Sequence, residues 1–551
     1  MYVSDDSRRY PVTIILFLAA ALFLSGCLAV NPVIAAKGIV SIDERGMFRD
    51  TDGKPFIVMG YGSLHLFQPR SEDPAMWNGW IESAWCNIDR APLEETLRYL
   101  KDNGINTLRI GLTVYSDGMA GDLGGRANPM VIEALERYLS VADSLGMKVI
   151  PVFYWGPYGH YQLFNAAYDS ILYDKEPMAW FCDREAIKLQ KAFIRDVVTR
   201  FKNDQRVLAW ELMNEIWVYY DFHQKKNMVT VVDSPHFAAW SGELSGYIKE
   251  LGVKNLVKLD FSAGAAIADN YDRKAGVDIL GYRAYPVSSN SVSDYGTYCS
   301  AYARYGLVFK NVCIAGELGT DKSALFRRIA TRDAVWMSLL AGAPGVIGWD
   351  GLWTDPDEFR IAAEVLNSID WAGFRRATPP VLIRVRGDGK DLDDLRRYDE
   401  YFQRAGYDFD VVVKKDAGDE VAGKYEAVID TEEFTRPRWW EFEELDIPEI
   451  KSKPVFKLSE GYYGTFLLDG NRKVMVLYAR NMQGKHTFGG FRMKVDTPLN
   501  LTVSLPGTYN YKLYDLDQKK VVAQDSFKDE LKLARPAAQT DYALHITRGG
   551  R

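Results

Sequence analysis

The sequence predicts an α/β chain: a (β/α)8 TIM barrel followed by a small flavodoxin-like α/β unit and a C-terminal antiparallel β-sandwich. Three observations predict it. From Gly38 to Phe374, apolar runs of strand length alternate with segments of helical periodicity. After Thr378-Pro379-Pro380 a shorter strand–helix–strand pattern follows, and beyond Pro437-Arg438-Trp439-Trp440 short β-rich segments are separated by turn residues. A chain of 551 residues exceeds one compact domain, and a hydrophobic fraction of 47% is enough for several cores.

The barrel strands read in order as 55–61, 106–110, 148–154, 207–215, 256–260, 277–282, 312–316 and 345–349. Helices are expected at 93–102, closed by Gly104, at 131–145, closed by Gly146, and at 184–202, 237–251, 323–340 and 356–369. Strands alternating with helices at this spacing form a parallel sheet with helical crossovers. The small unit, 378–437, has strands at 381–385, 409–413 and 425–429 and a helix at 391–405. Its Arg386-Gly387-Asp388-Gly389-Lys390 loop is too weak a pattern for a phosphate site, and the unit reads as a spacer or an oligomerisation module. The last region, 441–551, has strands at 462–468, 473–478, 491–495, 501–505, 509–514 and 542–546.

Residues 1–27 have the layout of a lipoprotein signal peptide. Arg8 and Arg9 precede an apolar run at 12–24, too short for an ordinary membrane span, which ends in Leu24-Ser25-Gly26-Cys27. That ending resembles the bacterial lipobox, in which the Cys is lipidated and becomes the mature N-terminus. Leu28 in place of Asp favours an outer-membrane or cell-surface anchor over inner-membrane retention, and a plain secretory signal is the alternative. An exported chain permits disulfides, and Cys86 and Cys182 both lie in predicted βα loops, where a bridge is plausible, whereas Cys313 falls inside a strand; spacing does not choose the pairing of Cys86, Cys182 and Cys299. A net charge of -7 with mixed signs provides no basic stripe for nucleic acid. No CxxC, HExxH or calcium-loop pattern is present, so no metal and no cofactor is expected.

Two strand ends deliver carboxylates: Trp210-Glu211-Leu212-Met213-Asn214-Glu215 and Gly316-Glu317. In a (β/α)8 barrel such groups converge on one mouth, and paired carboxylates without metal ligands suit acid/base and nucleophilic work on a glycosidic bond. The set resembles the clan A glycoside hydrolases, family-five-like cellulases and mannanases. The resemblance covers roughly 38–374 and implies Glu215 as acid/base at the end of strand four and Glu317 as nucleophile at the end of strand seven. It places Arg109 beside the nucleophile, Asn214 on the sugar 2-hydroxyl, Tyr285 as a hydrogen-bond donor to the nucleophile and Trp349 as the floor under the sugar.

The chain departs from that pattern in two places: strand three ends Phe153-Tyr154-Trp155 where a His is usual, and strand six reads Arg283-x-Tyr285 in place of His-x-Tyr. Arg283 is a candidate contact for a heavily hydroxylated or anionic sugar, or a replacement for a local packing contact. Tyr154, Trp155 and Trp217 are further candidate substrate contacts, and Trp180 with Tyr219 extends the aromatic wall of the long loops. The expected function is retaining hydrolysis of β-glycosidic bonds in an oligosaccharide or polysaccharide. The alternatives are a transglycosylase, or a catalytically silent glycan-binding surface lipoprotein anchored through Cys27.

Overall fold

The computed structural model describes residues 38–62, 90–112, 125–127, 129–154, 179–214, 220–221, 226–227, 235–260, 276–284, 295–308, 312–319, 324–349, 354–387, 391–431, 445, 447–482, 486–487, 491–492, 496–538 and 540–549. Eight parallel strands close a barrel in chain order. They are β1 Val58–Gly62, β2 Thr107–Gly111, β3 Lys148–Tyr154, β4 Ala209–Met213, β5 Leu256–Asp260, β6 Ile279–Ala284, β7 Val312–Leu318 and β8 Gly345–Trp349. Helices α1 Arg90–Asp102, α2 Pro129–Ser144, α3 Arg184–Arg200, α4 Pro235–Glu250, α5 Tyr295–Gly306, α6 Ala324–Leu340 and α7 Arg360–Asn367 belong to the same segment.

The predicted first strand divides. Pro55–Phe56 pairs with Phe48–Arg49, which pairs with Ser41–Ile42, and the barrel strand itself starts at Val58. This small antiparallel sheet closes the N-terminal end of the barrel. Val40 and Phe48 pack there against Val58, Ile150, Leu256, Ile279, Val312 and Ile347, the apolar lower layer of the barrel interior. Burial of each such side chain is worth about 1.5–3 kcal/mol. Gly104 and Gly146 end their helices with φ of 86° and 66°, the left-handed geometry that lets a chain turn from helix into strand.

Helix α5 completes the alternation between β6 and β7 and was not expected from the sequence. Nearly every residue of it is buried, so it has no polar stripe to create an amphipathic pattern. One side lies on the barrel and the other on α8 (Leu392–Ala405), the helix of the small unit. That unit is a three-stranded parallel sheet of β9 Val381–Val385, β10 Phe409–Val413 and β11 Ala427–Asp430, with β9 central. Arg304 of α5 fastens it, with Nη1 2.9 Å from Asp408 and donating to the Phe409 carbonyl at 2.9 Å, its plane over the Phe409 ring.

The C-terminal region is an antiparallel sheet of β12 Phe456–Leu458, β13 Tyr462–Leu468, β14 Val474–Asn481, β15 Thr497–Asp515, β16 Lys520–Ala538 and β17 Tyr542–Arg548. These strands are hydrogen-bonded parts of one antiparallel sheet, as expected of the C-terminal region. The segments 501–505 and 509–514 are one strand, offset by a bulge at Pro506-Gly507. Beyond that bulge β15 changes partner from β12 to β17, so the sheet doubles over its own core of Phe466, Leu477, Leu501 and Leu544. The opposite face turns Val476, Tyr478 and Ala543 towards the barrel, as the two-residue period of a strand requires. Tyr478 stacks on Trp336 of α6 and donates to Asp333 at 2.6 Å.

Candidate active site

In each barrel strand, side chains two apart share a face. On β5, Leu256 lies in the apolar lower layer, so Lys258 and Asp260 follow it into the interior nearer the C-terminal mouth; both are fully buried. On β4, Ala209 is followed by Glu211, and on β6, Ile279 is followed by Gly281 and Arg283. Strand β7 would break this pattern, since Val312 and Ile314 face inward and parity would select Gly316 next. Pairing between β6 and β7 instead steps from Tyr282–Ala315 to Arg283–Glu317, a bulge at Gly316 that brings Glu317 opposite Arg283. The glycine before the carboxylate thus re-aims it.

Above the apolar layer lies a buried ionic cluster. Arg109 donates through Nε to Glu211 at 2.8 Å and through Nη1 to Glu317 at 3.0 Å. Its Nη2 reaches Glu211, the amide oxygen of Asn214 at 2.7 Å and Asp260 at 3.1 Å. Arg283 grips Glu317 at two points, Nη1 to Oε1 at 2.8 Å and Nη2 to Oε2 at 2.6 Å, and also donates to Asn214 Oδ1. Lys258 bridges Glu211, at 2.8 Å, and Asp260. Arg109, Lys258 and Arg283 balance Glu211, Asp260 and Glu317, which is what allows so many charges out of water. Removing any one partner leaves an uncompensated buried charge, at a cost of about 3–5 kcal/mol.

Burial pushes the Asp260 carboxyl up, but the Lys258 ammonium and then the Arg109 and Arg283 guanidiniums outweigh it and hold the group below its ordinary range. Arg109 is likewise penalised by burial and overcompensated by Glu211, Asp260 and Glu317, so it stays charged. Two guanidinium donors on one carboxylate favour the ionised form of Glu317. With Oδ1 of Asn214 engaged by both arginines, its amide orientation is fixed and Nδ2 is turned away from them.

Arg109, Asn214, Arg283 and Glu317 therefore meet in one place. Arg109 meets both Glu211 and Glu317, so its structural and functional roles coexist. Arg283, a candidate sugar contact from the sequence, spends its guanidinium on Glu317 and Asn214. Trp349 is half-buried at the end of β8, and a side chain at Gly62 would meet its ring at 3.5 Å and Cβ of Arg109 at 3.7 Å. Tyr154 is placed differently from expectation: its hydroxyl donates to the Gln190 carbonyl of α3 at 3.0 Å, and its ring packs edge-on to the buried Trp180. Both aromatics serve the core between barrel and helices. Glu215, Tyr285, Trp155, Trp217, Cys27 and Cys86 lie outside the described residues.

Glu211, Lys258 and Asp260 were missed as site residues. Their signal is present, because a strand of a parallel barrel is usually apolar on both faces, whereas Val257-Lys258-Leu259-Asp260 alternates.

Residues 69–259 match the family described as Cellulase (glycosyl hydrolase family 5). That match spans barrel strands β2 to β4 and most of β5. Among curated relatives, a probable mannan endo-1,4-beta-mannosidase F of Aspergillus oryzae is 25% identical over 220 residues, 39% of this chain and 42% of that protein. A mannan endo-1,4-beta-mannosidase A of Emericella nidulans is 23% identical over 300 residues, 50% of this chain and 72% of the relative. The chain spans less than half the length of the Aspergillus oryzae, Aspergillus flavus and Aspergillus fumigatus relatives. Among solved structures, the exo-beta-1,4-mannosidase Op5Man5 from Opitutaceae bacterium strain TAV5 superposes with a TM-score of 0.54 at 18% identity, covering 71% of this chain and 75% of the other. A GH5_18 structure from Bifidobacterium longum subsp. longum gives 0.53 at 13% identity, covering 68% and 97%. Both superpositions cover more of the chain than the matched segment and show a shared barrel fold.

Proposed function

We propose that this chain is a retaining glycoside hydrolase acting on β-1,4-linked mannosides. The observation that carries the reading is Glu317 at the mouth of a family 5 barrel, gripped by Arg109 and Arg283 beside Asn214. A double-displacement mechanism needs an ionised nucleophile within about 5 Å of a protonated acid. Glu317 supplies the first, attacking the anomeric carbon, and Glu215, which follows Asn214 in the chain, supplies the second by protonating the departing oxygen. Glu215 then acts as base on the water that resolves the glycosyl-enzyme ester. The Nδ2 of Asn214 donates to the sugar 2-hydroxyl, a contact that strengthens as positive charge develops on the ring. The choice of mannoside comes from the curated relatives, whose names describe mannan endo-1,4-beta-mannosidases.

The test is turnover of aryl β-mannosides and β-1,4-manno-oligosaccharides by the full chain in detergent, beside Glu317→Ala and Glu215→Ala. Hydrolysis with retained anomeric configuration, lost in both variants, is expected. Turnover that survives Glu317→Ala would overturn the assignment. Analysis of the same products separates hydrolysis from transfer to a second sugar.

We also propose export and lipid anchoring through Cys27. Cys27→Ser should move the protein out of the detergent-rich phase and abolish labelling by a fatty acid.

A further inference from the structure

Asp260 has no part in the two-carboxylate scheme, yet the barrel is shaped around it. Its carboxylate lies across Gly281 of β6 and Gly316 of β7, and a methyl group at either glycine would collide with Oδ1. Gly316 is also the bulge residue that turns Glu317 inward. The seat for Asp260 and the aim of Glu317 therefore depend on the same glycine. Asp260 reaches Arg109 at 3.1 Å and Arg283 at 4.0 Å, the two arginines that hold Glu317, and it is bonded to Lys258.

We infer that Asp260 is a positioning residue that draws off part of the field of Arg109 and Arg283, so that Glu317 remains reactive while both guanidiniums hold it. The inference rests on the reading of Glu317 as nucleophile. A carboxylate under two full guanidinium charges is well oriented but poorly nucleophilic, because the same interaction that stabilises its charge must be given up as the ester bond forms. A compensating anion beside the arginines keeps their geometry and reduces that penalty. Among the described residues, the charged groups facing the cluster are Arg109 from β2, Glu211 from β4, Lys258 and Asp260 from β5, Arg283 from β6 and Glu317 from β7. Lys258 and Asp260 are thus an internal pair whose two charges can be removed singly or together.

The experiment measures kcat/KM against pH for the full chain and for Asp260→Asn, Lys258→Met and the double variant, with thermal melting of each. The acid limb of kcat/KM reports ionisation of the nucleophile in the free enzyme. Asp260→Asn makes the cluster more positive, so the limb should move to lower pH by about one unit and the plateau should fall about tenfold. Lys258→Met makes it more negative and should move the limb upward. The double variant restores the balance and should return the limb towards the wild-type position. Shifts of opposite sign that cancel are not expected from a residue that only supports the fold. Lowered melting temperatures with no movement of the limb, or movement in the same direction for both single variants, would overturn the inference. Should Asp260→Asn fail to fold, the double variant compared with Lys258→Met makes the same test. Absence of turnover in the wild type would instead overturn the nucleophile reading, and the inference with it.

Discussion

Arg283 and Glu317 form a two-point ion pair across the β6–β7 bulge, with Nη1 2.8 Å from Oε1 and Nη2 2.6 Å from Oε2. The planar fork of arginine matches a carboxylate in a way that an ammonium cannot. Arg283→Lys keeps the charge and loses one of the two contacts. Its kcat/KM on an aryl β-mannoside should fall about ten- to a hundredfold. A change confined to KM would show instead that Arg283 acts on the sugar.

Arg332 of α6 joins barrel and C-terminal sheet: Nε donates to Glu358 at 2.7 Å, and Nη1 to Asp517 at 2.9 Å and to Asp541 at 3.1 Å. Burial pushes Glu358 up, and Arg332 outweighs it, holding the group below its ordinary range. Arg332→Met removes the buried cation shared by Glu358 and Asp541, while Arg328 at 3.2 Å and Lys519 at 3.4 Å stay on Glu358, so the cost should be about 3 kcal/mol, the lower end for a broken buried pair. Chemical denaturation of the full chain measures it, and a loss under about 1 kcal/mol would mean that water replaces the arginine.

Burial, and then the ammonium of the cross-strand neighbour Lys512, hold His545 below its ordinary value, with Glu364 opposing. The unfolded chain therefore takes up the proton first. The stabilisation is complete above about pH 6.5 and is lost as pH falls from there towards the folded-state value. His545→Gln should flatten that part of the stability curve, which denaturation midpoints at pH 7 and pH 5 would reveal.

Gly104 has φ of 86°, and a methyl group there would collide with Cβ of Ala363 on α7. Gly104→Ala should therefore cost at least about 1–2 kcal/mol, from backbone strain and overpacking together. A melting temperature equal to wild type would show that α7 moves aside without penalty.

Much of the barrel was legible because parallel strands buried on both faces read as unbroken apolar runs, and because Gly104 and Gly146 mark where helices stop. Helix α5 was hidden for the opposite reason, being enclosed on nearly every side. The strand β16 was hidden by its exposure: Asp525, Lys528, Asp529, Glu530 and Lys532 crowd a segment that keeps few buried positions, as suits an outer strand protected by charge. At the site, strand-end position brought out Glu317, and the resemblance to clan A glycoside hydrolases added Arg109 and Asn214. Neither brought out Glu211, Lys258 and Asp260, because a lone charge in a strand has meaning only once the register shows which charges face it. The same holds for Arg283, whose partner is set by a bulge and not by spacing along the chain.

The strand that carries Glu317 is flanked in the chain by α5 and α6, and each is gripped from outside by a different accessory unit, α5 by α8 and by Asp408 and Phe409 of the small unit, which hold its Arg304, and α6 by Tyr478 and the C-terminal sheet. A chain cut at Phe374 would keep every barrel strand and still bare Trp336 and the buried side of α5 to water. The barrel is thus not portable: the last third of the chain is the outer wall of the one quadrant where the carboxylate is aimed.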